Sequence, residues 1–236
     1  MAIWFALMLG AYLLGSVPAA YLVARFARGM DLRRYGTGQV GAGNLWRMTS
    51  WRLGILVGIF DSGKGLVMVW VAALLGLDIA QQLVVGLAAI IGHNWPIFLR
   101  FGGGRGIGTT MGVLIILPLI NGMTPWASIA FFSALVIGSI VLRSSALPVL
   151  VGVVALPLVS CFYEPFSITM GFLTMSLIII TKRLTAPRPV GGVTVSEGRL
   201  LLSRLLFDRD IMDREAWMYR VPHKASTTKK PGQRKG

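Results

Sequence analysis

Five stretches of this chain contain no Asp, Glu, Lys or Arg: residues 1–24, 79–99, 107–142, 144–163 and 165–181. A helix needs about 20 apolar residues to cross the hydrocarbon of a bilayer, where charged groups find no water, so runs of this length constrain the fold more than any other feature. Over the whole chain 55% of residues are hydrophobic and 14% are charged, which excludes an ordinary soluble domain. The 107–142 run holds Asn121-Gly122-Met123-Thr124-Pro125 at its middle, a turn cluster that divides it into two short passes. With residues 53–77 the count reaches seven, so the expected fold class is all-α, a polytopic membrane protein of seven transmembrane helices. Residues 1–181 are expected to form the membrane domain and residues 182–236 a separate basic tail. No basic residue precedes the first apolar run, which argues against a cleaved signal peptide. The single Cys161 has no internal disulfide partner and reads as a small buried hydrophobe.

Charge sets the expected orientation. Arg25, Arg28, Arg33, Arg34, Arg47 and Arg52 lie between the first and second spans, Arg100 and Arg105 between the third and fourth, and Arg143 between the fifth and sixth. The other connections carry only Asp78, no charge, and Glu164. Positive loops stay in the cytoplasm, which puts the N-terminus outside and the C-terminus inside. The tail carries thirteen Lys or Arg against five acids, +8 of the chain's net +14. Within it, residues 196–218 mix Leu200, Leu201, Leu202, Leu205, Leu206, Ile211 and Trp217 with charges, as in a short helix lying on the bilayer surface or a small soluble appendage. From Lys224 onward the composition is that of a disordered segment, attracted to anionic lipid headgroups by about 1 kcal/mol per basic residue. Seven spans argue against nucleic acid as the partner of this tail.

Two stretches rich in glycine and basic residues fall on the positive side. One is Gly36-Thr37-Gly38-Gln39-Val40-Gly41-Ala42-Gly43-Asn44 leading to Arg47; the other is Gly92-His93 leading to Gly102-Gly103-Gly104-Arg105-Gly106. Glycine lets backbone N–H groups come close to a phosphate, and arginine adds a forked, permanent charge. Between the two stretches, Asp61 and Lys64 interrupt the second span at i, i+3 spacing, on one helix face. They read either as a self-contained ion pair or as a lysine held toward a cavity with Asp61 fixing it. His93 lies seven residues before Arg100, roughly 10 Å deep at 1.5 Å per residue, beside Asn94 and the Pro96 break. The sequence Gly58-Ile59-Phe60-Asp61-Ser62-Gly63-Lys64-Gly65 matches a nucleotide-binding GxxxxGK, but Gly65 stands where the magnesium-binding Ser or Thr belongs, and no strand precedes it. His93 and His223 are far apart and Cys161 is alone, so no zinc-type cluster is spelled out.

These motifs resemble those of the acyl-phosphate-dependent glycerol-3-phosphate acyltransferases of bacteria, integral membrane enzymes of seven spans. The resemblance covers nearly all of residues 1–181. Asp31-Leu32-Arg33 with the first glycine stretch and Arg47 is similar to that family's Ser-Gly-Asn-x-Gly-Ala-Thr-Asn motif, and Asp61 with Lys64-Gly65 to its Asp-x-x-Lys-Gly element. Gly92-His93-Asn94-Trp95-Pro96-Ile97-Phe98, with Phe101 and then Gly103-Gly104-Arg105-Gly106 and Thr109, is similar to its Gly-His-x-x-Pro-x-Phe and Gly-Gly-Lys-Gly motif. The resemblance implies transfer of a fatty acyl group from acyl phosphate to the 1-hydroxyl of glycerol 3-phosphate, giving lysophosphatidate and phosphate without a metal or nucleotide cofactor. It implies that Lys64, His93 and Arg105 are catalytic, supported by Asp61. It also implies that Gly36, Thr37, Gly38, Gly41, Asn44, Arg47, Gly103, Gly104 and Thr109 bind substrate and phosphate. Ser145 falls near a family serine. The implied location is the bacterial inner membrane, with the site facing the cytoplasm. Gln39, Gly43, Gly102 and Arg105 depart from the family pattern, and Thr181-Lys182-Arg183-Leu184-Thr185 replaces its usual Arg-His-Arg-x-Asn ending. These departures leave two other readings open: a silent or altered paralogue with a regulatory role, or a small transporter of a phosphorylated anion or lipid.

Overall fold

The computed structural model describes residues 1–186, 196–210 and 213–220, and among these there is no β-strand. The first apolar run is two helices, α1 (Ala2–Ser16) and α2 (Ala19–Arg28). Pro18 lacks an N–H and cannot continue the ladder, so the run breaks there. A short 3-10 turn (Leu32–Arg34) precedes α3 (Ala42–Met48), α4 (Trp51–Leu74) and α5 (Ile79–Asn94). After a second such turn (Ile97–Leu99) come α6 (Ile107–Asn121), α7 (Trp126–Leu142), α8 (Ala146–Tyr163), α9 (Phe166–Leu184), α10 (Glu197–Phe207) and α11 (Arg214–Met218). Asp78, a loop charge in the sequence, starts α5 through a capping box: its carboxylate accepts from the Gln81 N–H at 2.9 Å while the Gln81 side chain accepts from the Asp78 N–H at 3.1 Å.

Five segments are long and apolar enough to cross a bilayer: Ala2–Arg28, Trp51–Leu74, Ile79–Leu99, Ala146–Tyr163 and Phe166–Leu184. The two halves of the 107–142 run are shorter, 15 residues in α6 and 17 in α7. Left-handed Gly122 ends α6, and the turn to Pro125 separates the pair, as the turn cluster predicted.

Small residues set how closely these helices pack. A Cβ on Gly15 of α1 would collide with the Ala89 carbonyl of α5, and one on Gly92 of α5 with the Tyr12 carbonyl of α1. The same reciprocity joins α4 to α6, Gly65 lying on the Thr109 backbone and Gly112 on the Ser62 backbone. Such contacts substitute for a hydrophobic drive that lipid does not supply. Leu83, Ile90, Leu114, Leu117, Phe131, Leu156, Met175 and Ile179 fill the interior, while Phe5, Leu9, Ile59, Ile140, Leu158 and Phe162 are exposed. Helices apolar on every side suit lipid surroundings. Cys161 follows the outer pattern rather than the buried position expected of it: it is exposed on α8, its thiol donating to the Leu158 carbonyl at 3.0 Å. Polar side chains bridge the interior, Asn121 to Gln82 at 2.7 Å and Ser128 to the Leu114 carbonyl at 2.7 Å.

The tail departs from its compositional outline. Helix α9 runs past residue 181, so Lys182 and Arg183 are buried members of that helix. The 196–218 segment is two helices instead of one, broken where Asp208 adopts φ 53° at the end of α10. Helix α10 packs on α8 and α9, with Leu200, Ser203 and Arg204 buried. Arg204 donates to the Leu184 carbonyl at 2.8 Å, and Arg183 to that of Leu205 at 2.9 Å. The expected disordered end, from Lys224, lies outside the described residues.

Candidate active site

Asn44 organises the first glycine stretch. Its carbonyl oxygen accepts from the Thr37 N–H at 3.1 Å, and its amide donates to the Tyr35 and Gln39 carbonyls at 3.0 Å each and to that of Leu32 at 3.4 Å. The side chain is buried and fully engaged, so the loop is wound around it. Gly36, at φ 56°, turns the chain directly against the Asn44 oxygen, where any Cβ would collide. Arg47, one turn on, donates to the Gly43 carbonyl at 3.1 Å. Burial holds its guanidinium below the usual arginine value.

The break at Pro18 explains Lys64. The ammonium donates to the Val17 carbonyl at 2.6 Å, the Gly15 carbonyl at 3.4 Å and the Asp61 carboxylate at 2.8 Å. Three donors thus meet three acceptors, two of them carbonyls at the interrupted end of α1. The same Asp61 oxygen lies 3.6 Å from His93 Nδ1. Gly104 passes against the His93 ring, and its N–H donates to the His93 carbonyl at 3.2 Å. A Cβ on Gly103 would strike that carbonyl, so the glycine pair serves close passage around the imidazole.

These elements enclose one cavity of about 390 Å³. Three helix starts line it: Gly41, Ala42 and Gly43 of α3, Gly106, Ile107 and Gly108 of α6, and Ser145 and Ala146 of α8. None has a side chain capping its first N–H groups. Uncapped helix starts carry partial positive charge and free donors, a setting for anions. Arg47, Arg105, Arg183, Arg209 and Arg214 add full charges around the same space. Met111, Leu135 and Val149, from α6, α7 and α8, make its apolar side.

Among the residues singled out from sequence, Thr37, Gly41, Asn44, Arg47, Asp61, His93, Arg105 and Ser145 line the cavity. Gly36, Gly38, Gly103 and Gly104 do not line it and belong to the backbone turns behind it. Thr109 is buried against Gly65 of α4. Lys64 is also outside the lining: of its two sequence readings, lysine toward a cavity and self-contained ion pair, its geometry follows the second, with Asp61 as the member that reaches the pocket.

Sequence reasoning missed the wall contributed after α9. Phe207, Asp208, Arg209, Arg214, Trp217 and Met218 all line the cavity. Asp208 meets Arg105 at 2.6 Å and accepts from Gln39 at 3.1 Å, so two positions that depart from the family pattern reach the same carboxylate. Arg105 also donates to the Lys182 carbonyl at 2.5 Å, and the Gly36 N–H donates to the Arg220 carbonyl at 2.7 Å. The one available signal was an acid directly after Leu205-Leu206-Phe207, one of five acids in the tail, and spacing alone does not connect it to residue 105. Among the described residues, no group of three His, Cys, Asp or Glu side chains is arranged to hold a metal ion.

Comparison with known proteins gives a consistent result. Residues 5–188 match the family described as glycerol-3-phosphate acyltransferase. The chain is 42% identical over 228 residues to glycerol-3-phosphate acyltransferase 5 of Dehalococcoides mccartyi (strain ATCC BAA-2266 / KCTC 15142 / 195), covering 93% of this chain and 95% of that one. It is 43% identical over 216 residues to glycerol-3-phosphate acyltransferase 4 of Dehalococcoides mccartyi (strain CBDB1), covering 89% and 90%. Its fold is similar to the crystal structure of PlsY, an integral membrane glycerol 3-phosphate acyltransferase, in the glycerol 3-phosphate form: TM-score 0.69, 27% identity, 76% of this chain and 88% of that one.

Proposed function

The chain belongs to the glycerol-3-phosphate acyltransferase family, and from that premise we propose that it transfers a fatty acyl group from acyl phosphate to the 1-hydroxyl of glycerol 3-phosphate. The observation that carries this reading is the convergence of three uncapped helix starts and five arginines on one cavity with an apolar side. Both substrates bear phosphate, and both need donors of this kind. The acyl chain of the donor extends into the bilayer past Met111, Leu135 and Val149, while the polar acceptor arrives from water.

In the reaction the 1-hydroxyl oxygen bonds to the acyl carbonyl carbon, the carbonyl carbon–phosphate oxygen bond breaks, and phosphate leaves with the electron pair. The hydroxyl proton passes to a phosphate oxygen of the substrates. Thr37, Arg47, Ser145, the start of α3 and the fork of Arg105 hold the acceptor's phosphate. Arg105 and the start of α6 stabilise charge on the reacting carbonyl and the departing phosphate. His93, steadied by Asp61, lines the reaction space, and Lys64 acts through Asp61 as a positioning residue. Seven spans, with the N-terminus out and the C-terminus in, put this pocket at the cytoplasmic face of a bacterial inner membrane. The basic tail end meets anionic headgroups there.

The test uses purified full-length protein in vesicles, given glycerol 3-phosphate with acyl phosphate, acyl-CoA or acyl carrier protein in turn. Lysophosphatidate is expected with acyl phosphate. No product from any donor above an Arg105→Ala control overturns the assignment.

A further inference from the structure

The cavity wall built after α9 presents a carboxylate to a pocket otherwise suited to anions. Asp208 grips one edge of the Arg105 guanidinium: Nη2 lies 2.6 Å from Oδ1, and Nε donates to Oδ2 at 3.3 Å. The Nη1 group donates to the Lys182 carbonyl. The fork with which arginine binds a phosphate in bidentate fashion is therefore filled by Asp208. Both side chains are largely buried, 12% and 13% exposed, so water screens the pair weakly.

We propose that Asp208 is a specificity-determining residue of this pocket: it holds the Arg105 fork that the acceptor's phosphate needs, and sets acceptor affinity through competition for it. The inference rests on the functional reading above, which gives Arg105 a phosphate to bind. A phosphate group near neutral pH carries close to two charges and three acceptor oxygens, against one charge and two oxygens on the carboxylate, so it can take over the fork. A ligand with only one negative charge lacks that advantage, and the exchange discriminates in favour of phosphate esters.

The backbone around Asp208 is anchored independently of its side chain. Its own N–H donates to the Arg204 carbonyl, Arg183 holds the Leu205 carbonyl, and the Gly36 N–H holds the Arg220 carbonyl. Besides Arg105, Gln39 Nε2 at 3.1 Å donates to the carboxylate. Exchange thus requires release of a side chain from two partners while the wall stays in place.

The experiment compares full-length wild type, Asp208→Asn and Asp208→Glu, purified in detergent. Calorimetry reads binding of inorganic phosphate and of glycerol 3-phosphate, and vesicle assays read KM for glycerol 3-phosphate. Removing the competing charge in Asp208→Asn is expected to tighten both ligands and lower KM by about five-fold, with Asp208→Glu restoring weaker, wild-type-like binding. Unchanged or weaker binding in Asp208→Asn overturns the proposal, because it makes the carboxylate a bystander or a support for Arg105. If Asp208→Asn does not melt cooperatively, Gln39→Leu decides: losing one of the two holds on the carboxylate is expected to shift affinity the same way by about two-fold, and no shift overturns the idea. Phosphate binding needs no turnover. Absence of lysophosphatidate from wild type therefore defeats the acyltransferase reading, while the phosphate comparison still decides the role of Asp208.

Discussion

Arg105 at the start of α6 and Asp208 at the end of α10 stand 103 positions apart and meet at 2.6 Å in the wall of the anion pocket. Removing the guanidinium takes away charge stabilisation where the transferring group develops negative charge. Arg105→Ala is expected to lower the rate of lysophosphatidate formation by about 10²- to 10³-fold. The variant also leaves Asp208 without its 2.6 Å ionic partner, so the double variant Arg105→Ala/Asp208→Asn should unfold at higher temperature than the single one and remain inactive. Recovery of turnover in the double variant would contradict the role given to Arg105.

Lys64 has all three of its donors occupied, and Asp61 depends on it. Lys64→Met leaves a carboxylate that is 3% exposed without its cation, and should destabilise the protein by about 3–5 kcal/mol in detergent unfolding. Asp61→Asn added to that variant should recover part of the loss. If the single variant unfolds like wild type, Lys64 does not hold the end of α1 to α4.

Two glycines on neighbouring helices separate packing from helix propensity. A Cβ on Gly112 runs into the Ser62 backbone, whereas one on Gly63 meets nothing within 4 Å. Gly112→Ala should destabilise by about 1–3 kcal/mol through forced separation of α4 and α6. Gly63→Ala should be neutral or stabilise by up to about 1 kcal/mol. Equal melting of the two variants would contradict the close approach.

Asn44 makes four hydrogen bonds to the loop it carries, and no other side chain replaces them. Asn44→Ala should destabilise by about 2–4 kcal/mol and raise KM for glycerol 3-phosphate. Asn44→Asp keeps the acceptor for the Thr37 N–H but loses the donors, so it should not rescue. Wild-type KM in Asn44→Ala would disconnect this loop from acceptor binding.

Much of the architecture was legible because the solvent acts on composition. The uncharged runs mark α1, α5, α6, α7, α8 and α9, and the turn at residues 121–125 separates α6 from α7. The connections before Arg52, around Arg105 and after Arg143 each supply residues to one cavity. The direction of individual side chains was not legible. Whether Lys64 faces the pocket depends on carbonyls freed by a break 46 positions before it, at Pro18. Whether Asn44 binds a ligand or its own loop depends on how tightly Gly36 turns.

The sequence by itself determined a helical membrane protein with glycine and arginine at one end, because burying charge in hydrocarbon is so costly that composition maps the spans. It determined the family as well, since the three motifs stand in order along the chain. Only the tertiary structure decided that the segment after α9 closes the pocket, that Asp208 faces Arg105, and that Lys64 is held behind the wall. Those contacts join residues that no local pattern relates, and they form only when helices pack at distances set by Gly15, Gly65, Gly92 and Gly112.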